Sequence, residues 1–257
     1  MSEKNKFPCI ETIKEIINDK NISPTFLYNE GWMLRLILKW FEKNAYTDKY
    51  LSMKEKAIWY SEALLSSKFL AVEKNDDLAE KHTHADGVYG DIKIGEKGRG
   101  DLVLEPDCKQ FVVVEAKMFS PYSQKVKNAP RYNQAARTIA CMCHIWKKSM
   151  QSLENMDVAF YTIIPETQRI DEPTFNEWTD RDHIKRTVLD RVMAYNGRPD
   201  FKKKDDWYKN DFYKFSEKIK IDIFHWEDII KYIKEKETVY GKELDEFYKK
   251  CEEYNKK

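Results

Sequence analysis

Little in the chain reads as a secretory leader, a membrane span or a cysteine motif, its net charge is only +1, and each shortage argues against a class of protein. Met1-Ser2-Glu3-Lys4-Asn5-Lys6 is polar and no apolar stretch follows it, so no signal peptide is expected. No run approaches the ~20 apolar residues that a transmembrane helix needs. The five cysteines (Cys9, Cys108, Cys141, Cys143, Cys251) are odd in number and scattered, and Cys141-Met142-Cys143 lacks the two-residue spacer of a redox or zinc motif. Reduced thiols in a cytoplasmic protein with no membrane partner are the expectation. Lys+Arg number 45 against 44 Asp+Glu, a net charge of +1. Global basicity therefore does not advertise nucleic acid, and any such binding needs a local patch. Internal repeats and low-complexity linkers are absent too.

What is present is a core. The 257 residues are 42% hydrophobic and 14% aromatic, which suits one folded domain over 1–257. Its expected parts are N-terminal helices at 8–45, a core at about 52–165 and a mainly helical part at 175–257. The first helix is expected at 8–20. A second opens after Asn29, a good N-cap, with Met33, Leu36, Ile37, Trp40 and Phe41 at helical spacing. Ser52-Met53-Lys54-Glu55 has the capping-box pattern and predicts a third helix running to about Ser66. Strand-like segments follow at 87–94, 101–105 and 110–117. Asn128-Ala129-Pro130 opens a helix that runs through Trp146, and 157–165 reads as a buried strand stopped by Pro165. Beyond it, helices are expected at 181–195, 210–219 and 226–250, with a short strand at 221–224. The order helix, three strands, helix, strand predicts an α/β domain with a mixed central sheet.

Chemistry concentrates in Asp101, Glu115 and Lys117. Asp101 heads the apolar run Leu102-Val103-Leu104, and Glu115-Ala116-Lys117 closes the run Phe111-Val112-Val113-Val114. Pro106-Asp107-Cys108-Lys109 between them has turn chemistry. Folding about that turn with Glu105 across from Gln110 sets Asp101 opposite Val114, and one residue of slippage brings it opposite Glu115. Glu115 and Lys117 lie two apart on a strand and so share a face. Buried charges are costly unless they pair or bind metal, which makes this cluster a candidate active site. Its bland counterpart is a surface hairpin carrying a solvated ion pair.

Asp101, followed after 13 residues by Glu115-Ala116-Lys117, resembles the PD-(D/E)XK (restriction-endonuclease-like) nuclease superfamily, over roughly residues 52–165. The residue before Asp101 is Gly100, whereas a literal Pro-Asp occurs at Pro106-Asp107. Asp107 lies at the turn, and at ~3.3 Å of rise per residue it is too far along the strand to share a ligand with Glu115. The resemblance implies a restriction-endonuclease-like core and a metal-dependent phosphodiesterase. Asp101 and Glu115 would hold Mg²⁺ or Mn²⁺, and Lys117 would orient the attacking water or stabilise developing charge. It implies DNA more readily than RNA as substrate, a homodimer for cutting two strands, and a role in restriction or defence.

In the superfamily a glutamate on the helix before the first strand often completes the metal site. Glu62 takes that place here, because Ile58, Trp59, Leu65 and Phe69 put it on the apolar face of the expected third helix. Glu30 also lies on a helix, but an acid in a first turn is explained by the helix dipole. Gln134 and Arg137, three apart near the start of the next helix, match a place where relatives carry a polar residue near the catalytic lysine or the substrate phosphate. Lys125, Lys127 and Arg131, beside Tyr122 and Tyr132, form a candidate phosphate-tracking edge. Lys202-Lys203-Lys204 near Trp207 and Tyr208 form another. His82 and His84 alone do not make a zinc site, which wants four ligands. A non-catalytic nucleic-acid-binding or scaffold protein on the same fold is the alternative function. A third option is a protein-interaction module built on the aromatics of the C-terminal third.

Overall fold

The computed structural model of the chain describes residues 16, 18, 21–45, 47–71, 76–80, 82–95, 101–120 and 132–256, without the side chains of 169–172. Its framework is a five-stranded mixed sheet flanked by helices. The elements are helix α1 (Glu30–Lys43), strands β1 (Ile58–Leu65), β2 (Thr83–Gly90), β3 (Ile92–Ile94), β4 (Leu102–Leu104) and β5 (Gln110–Ala116), helix α2 (Gln134–Ser149) and strand β6 (Asp157–Ile164). Then come α3 (Glu172–Thr179), α4 (Arg181–Met193), α5 (Phe201–Trp207), α6 (Tyr213–Lys218), β7 (Lys220–His225), α7 (Trp226–Lys236) and α8 (Thr238–Asn255). The central sheet runs β1-β2-β5-β6-β7, while β3 and β4 form a separate two-stranded sheet. The pairs β1–β2 and β2–β5 are antiparallel, and the pairs β5–β6 and β6–β7 are parallel.

Strand β5 is buried along its whole length, because both faces of the sheet are covered. Phe111 and Val113 pack toward α2, where Ala136, Ile139 and Ala140 meet them. Val112 and Val114 pack in the opposite core, with Met33, Ile37 and Phe41 of α1 and Trp226, Ile229 and Ile233 of α7. Each of those valines contributes on the order of 1.5–3 kcal/mol by leaving water. Asn29 caps α1 by accepting the Trp32 N–H at 3.0 Å, as its sequence position foretells. Asn133 does the same for α2 through the Ala136 N–H at 2.8 Å. Of the helix expected at 8–20, only Ile16 and Asn18 are described, both helical. The proposed opening of the following helix at Asn128–Pro130 lies outside the described residues.

Four expectations need correction. The segment read as a helix over 52–66 is instead a turn followed by β1, whose aromatic and branched residues pair with β2 from Ile58↔Gly90 to Leu65↔Thr83. Apolar spacing there fits both periods, and the long-range ladder decides. The strand expected at 87–94 breaks at Gly90, where φ is +134° and an added Cβ would lie 1.9 Å from the Gln110 carbonyl oxygen. The hairpin expected between 101–105 and 110–117 does not form, since β4 pairs with β3 and β5 pairs with β2 and β6. The helix expected at 226–250 is two helices broken at Glu237, which leaves helical geometry at φ −142°, ψ 89°. Four short helical segments, Pro24–Phe26, Glu166–Asp171, α3 and α5, went unforeseen. No helix among the described residues is long and apolar enough to cross a membrane.

Candidate active site

The carboxyl-terminal end of β5 gathers a carboxylate from each of two strands, an ammonium and a helix amide. Glu115 continues the face of Phe111 and Val113 toward α2 and is completely buried. There the Gln134 amide donates to its Oε2 at 2.7 Å and the Thr138 hydroxyl donates to its Oε1 at 3.0 Å. Both donors come from the first turns of α2, one helical turn apart, so one element fixes both carboxylate oxygens. Lys117 lies just past the strand. Its N–H donates to the Ile163 carbonyl at 2.9 Å, and its own carbonyl accepts from the Trp226 indole at 2.9 Å. The backbone is thereby held on both sides, and Lys117 Nζ sits 3.5 Å from Glu115 Oε2.

The second acid is Asp86 on β2. The antiparallel register Gly87↔Val114, continued by one step, sets Asp86 across from Glu115. Asp86 Oδ2 accepts the Ala116 N–H at 2.8 Å and lies 3.5 Å from Lys117 Nζ. Burial pushes the Glu115 carboxyl well above the usual carboxylate range, and the adjacent Asp86 carboxylate adds to the effect while Lys117 opposes it. Burial also works against the Lys117 ammonium, yet Glu115, Asp86 and Glu30 outweigh it and raise its pKa. The lysine stays charged and faces two acids, of which the buried Glu115 holds its proton more tightly than a free carboxyl does.

Among the residues expected at the site, Glu115, Lys117 and Gln134 come together and Asp101 does not. Asp101 makes a bridge with Leu64 of β1, and its carbonyl accepts the Gly95 N–H at 2.8 Å. An added Cβ on Gly95 would lie 2.2 Å from Asp101 Oδ2, so the carboxylate is packed over that glycine. The reason is the register: β4 is not a neighbour of β5, and no slippage of a hairpin that does not form can bring Asp101 to Glu115. Glu62 is not on a helix. It lies on β1, with φ +57°, where the ladder continued between Ser61↔Gly87 and Ala63↔Ala85 sets it across from Asp86. Its side chain is half exposed, with Arg35 of α1 at 3.9 Å. The helix that precedes the first strand is α1, and its first-turn acid is Glu30, whose charge reaches Lys117.

Arg137 is directed to a different cluster. It lies 3.6 Å from the buried Glu80 and donates to the His82 carbonyl at 3.4 Å, so it ties α2 to the start of β2. Burial raises the Glu80 carboxyl despite Ser67, Arg137 and Arg191 around it. Tyr132 is buried and cannot serve as a stacking platform. Lys204 is buried as well, paired with Asp200 and 4.2 Å from the Tyr195 ring centroid, while Trp207 and Tyr208 belong to the core. Lys125, Lys127, Arg131 and Tyr122 lie outside the described residues. Asp86 and Thr138 are the site residues that sequence reasoning missed, and Glu30 is one that it weighed and assigned to the helix dipole. The strand just upstream, Ala85-Asp86-Gly87-Val88-Tyr89, carried the signal for Asp86, and the i+4 spacing from Gln134 carried that for Thr138.

No family model, curated protein or solved structure matches the chain. The reading of the site therefore stands on its geometry. Among the described residues, no group of three His, Cys, Asp or Glu side chains is placed to hold a metal ion. Two neighbouring acids with hard oxygen donors still suit a cation that keeps several waters, as Mg²⁺ does. Asp86, one quarter exposed, opens that pair to solvent.

Proposed function

We propose that the chain is a metal-dependent nuclease hydrolysing phosphodiester bonds, with a restriction-endonuclease-like core. The observation that carries the reading is the convergence of Asp86, Glu115 and Lys117 within 3.5 Å at the end of a buried strand. The order helix, three strands of the central sheet, helix, strand also matches what the PD-(D/E)XK resemblance implies, with the β3–β4 pair inserted. In this reading Asp86 replaces Asp101 as the first acid, and Glu30 takes the helix position assigned from sequence to Glu62. Mg²⁺ or Mn²⁺ would be held by Asp86 and Glu115.

The chemistry such a cation supplies is a lowered water pKa and neutralisation of charge on the phosphate. The chain's own residues do the rest. Gln134 and Thr138 fix the rotamer of Glu115 by donating to both of its oxygens. Asp86, anchored on the Ala116 N–H, keeps its position as β2 and β5 diverge. Lys117, held charged by three carboxylates, is placed to stabilise negative charge developing on a phosphate oxygen or to orient water. DNA is favoured over RNA on the resemblance alone, as is a dimer.

The test is incubation of the protein with plasmid, linear duplex, single-stranded DNA and RNA, with Mg²⁺ or Mn²⁺, beside Glu115→Gln and Lys117→Met. We expect cleavage by the wild type and a loss of about 100- to 1,000-fold in each variant, with circular dichroism unchanged. Absence of cleavage of all four substrates, or equal cleavage by the variants, would overturn the reading.

A further inference from the structure

Beside the Asp86–Glu115–Lys117 cluster the surface carries an aromatic side chain that the hydrophobic core does not use. Trp32, in the first turn of α1, leaves 44% of its surface exposed. Single exposed hydrophobic residues are ordinary, and what singles this one out is the set of side chains around it. Its surroundings are built. The Arg35 guanidinium lies over the ring, 4.9 Å from the centroid. That guanidinium is fixed in turn, with Nε donating to Ser61 Oγ at 2.8 Å and Nη2 lying 3.9 Å from Glu62 Oε1. Ser61 and Glu62 are neighbours on β1, and Glu62 is the residue set across from Asp86. Side chains thus lead from the indole through Arg35 to Glu62, whose place on β1 is across from Asp86.

Glu62 sits on that path at φ +57°, a left-handed conformation that a non-glycine residue seldom takes in a strand. The ladder is interrupted at this one residue and resumes at Ala63↔Ala85, and Arg35 reaches the carboxylate and the adjacent hydroxyl there. Glu30 is in the same helical turn as Trp32, and its charge acts on Lys117. The indole platform on α1 and β1 is therefore tied by Glu30 and Glu62 to the acidic cluster at the ends of β2 and β5.

We infer that Trp32 and Arg35 form a base-stacking platform and that the site takes single-stranded nucleic acid. In a duplex the base faces are already stacked on each other and closed to a protein ring. Only an unpaired base can lie against the indole. The Arg35 cation reinforces the stack by its contact with the ring and stands where a neighbouring phosphate would pass toward Asp86 and Lys117. Indole stacking is indifferent to base identity, so the platform selects strandedness and not sequence. This inference rests on the nuclease reading for its biological sense, but its test does not require cleavage.

The experiment is fluorescence anisotropy with a labelled 12-mer of oligo-dA, of oligo-rA and of a duplex of the same length. Wild-type protein, Trp32→Ala, Trp32→Phe and Glu115→Gln are compared in EDTA, where cutting is blocked. We expect one or both single strands to bind at least about 10-fold more tightly than the duplex, Trp32→Ala to lose about 10-fold of that affinity, and Trp32→Phe to recover most of it. The dA and rA arms identify which sugar is accepted. Trp32 is exposed, so truncation is not expected to disturb folding, and a melting curve checks this. Single-strand affinity within about 2-fold of wild type in Trp32→Ala, or an equal loss for the duplex, overturns the inference. Absence of binding to every oligonucleotide also overturns it, as does a change in oligomeric state on Trp32→Ala without a change in affinity. Intact binding by a Glu115→Gln protein that still cuts DNA in Mg²⁺ would sink the active-site reading and leave the platform standing.

Discussion

Asp86 and Asp101 are both acids near an apolar strand, and their environments differ in kind. Asp86 Oδ2 has the Ala116 N–H and the Lys117 ammonium. Among the described residues Asp101 Oδ1 is buried with no hydrogen-bond partner, and its carboxylate lies against Gly95. A group that binds a cation needs charge balance that only the first can share. Asp86→Asn removes one of two carboxylates facing Lys117 and is expected to lower cleavage by about 100-fold or more, since several kcal/mol of transition-state stabilisation go with it. Asp101→Asn is expected to leave cleavage within about 2-fold of wild type. Single-turnover rates on one substrate separate the two, and a large loss in Asp101→Asn with an active Asp86→Asn would restore the sequence-based choice. The sequence pointed to Glu115, Lys117 and Gln134 because each depends on local order: a valine run, a two-residue spacing, a helix start. Asp86 depends on which strand lies beside β5, and 28 residues separate it from Glu115. A turn-forming Pro106-Asp107 in that interval offers a nearer partner that the fold declines.

At the scale of elements the same contrast holds. Helix α1, strands β5 and β6, and helices α4 and α7 were legible because their patterns are long or their caps explicit. Strand β1 was not, because Ile58-Trp59-Tyr60-Ser61-Glu62-Ala63-Leu64-Leu65 satisfies a helical period and a strand ladder alike. The break between α7 and α8 was hidden for another reason: it is set by close approach of two backbones. An added Cβ on Gly241 would lie 2.3 Å from Lys234 Cα and 2.7 Å from Lys234 N. Only glycine lets α8 fold back on α7 at that distance. From there α8 braces α1, with Tyr240 donating to the Leu36 carbonyl at 2.8 Å and Phe247 meeting Tyr28 at 5.1 Å. Gly241→Ala must push the two helices apart, because neither contact atom is the end of a flexible side chain. The expected cost is about 1–3 kcal/mol, read as a melting temperature lower by roughly 2–10 °C in differential scanning calorimetry. An unchanged melting curve would show that the close approach is not required.

For the whole molecule, the informative quantity is stability against pH, because buried titrating groups pull in opposite directions. Burial raises the Glu80 and Glu115 carboxyls, so the folded chain holds those protons more tightly than the unfolded one. Their contribution is present at low pH and is lost as pH rises through the folded values. His144 on α2 has the opposite sign. Burial, with the Lys148 and Lys68 cations adding to it, lowers its pKa from 6.5 to about 4. Above pH 6.5 the imidazole is neutral in both states and contributes nothing to the slope. As pH falls from 6.5 toward about 4, the unfolded chain takes up a proton that the folded chain refuses, so stability is lost across that window. A total acid profile mixes this loss with the gain from the carboxyls, and its shape alone assigns neither. The difference between wild type and His144→Gln isolates the imidazole, because the carboxyls titrate alike in both proteins. Urea midpoints measured at intervals from pH 7.5 to 4 are expected to fall further in the wild type than in the variant, with the gap opening below pH 6.5. Parallel curves would mean that His144 protonates in the folded chain as freely as in the unfolded one, and that the buried face of α2 admits water at that position.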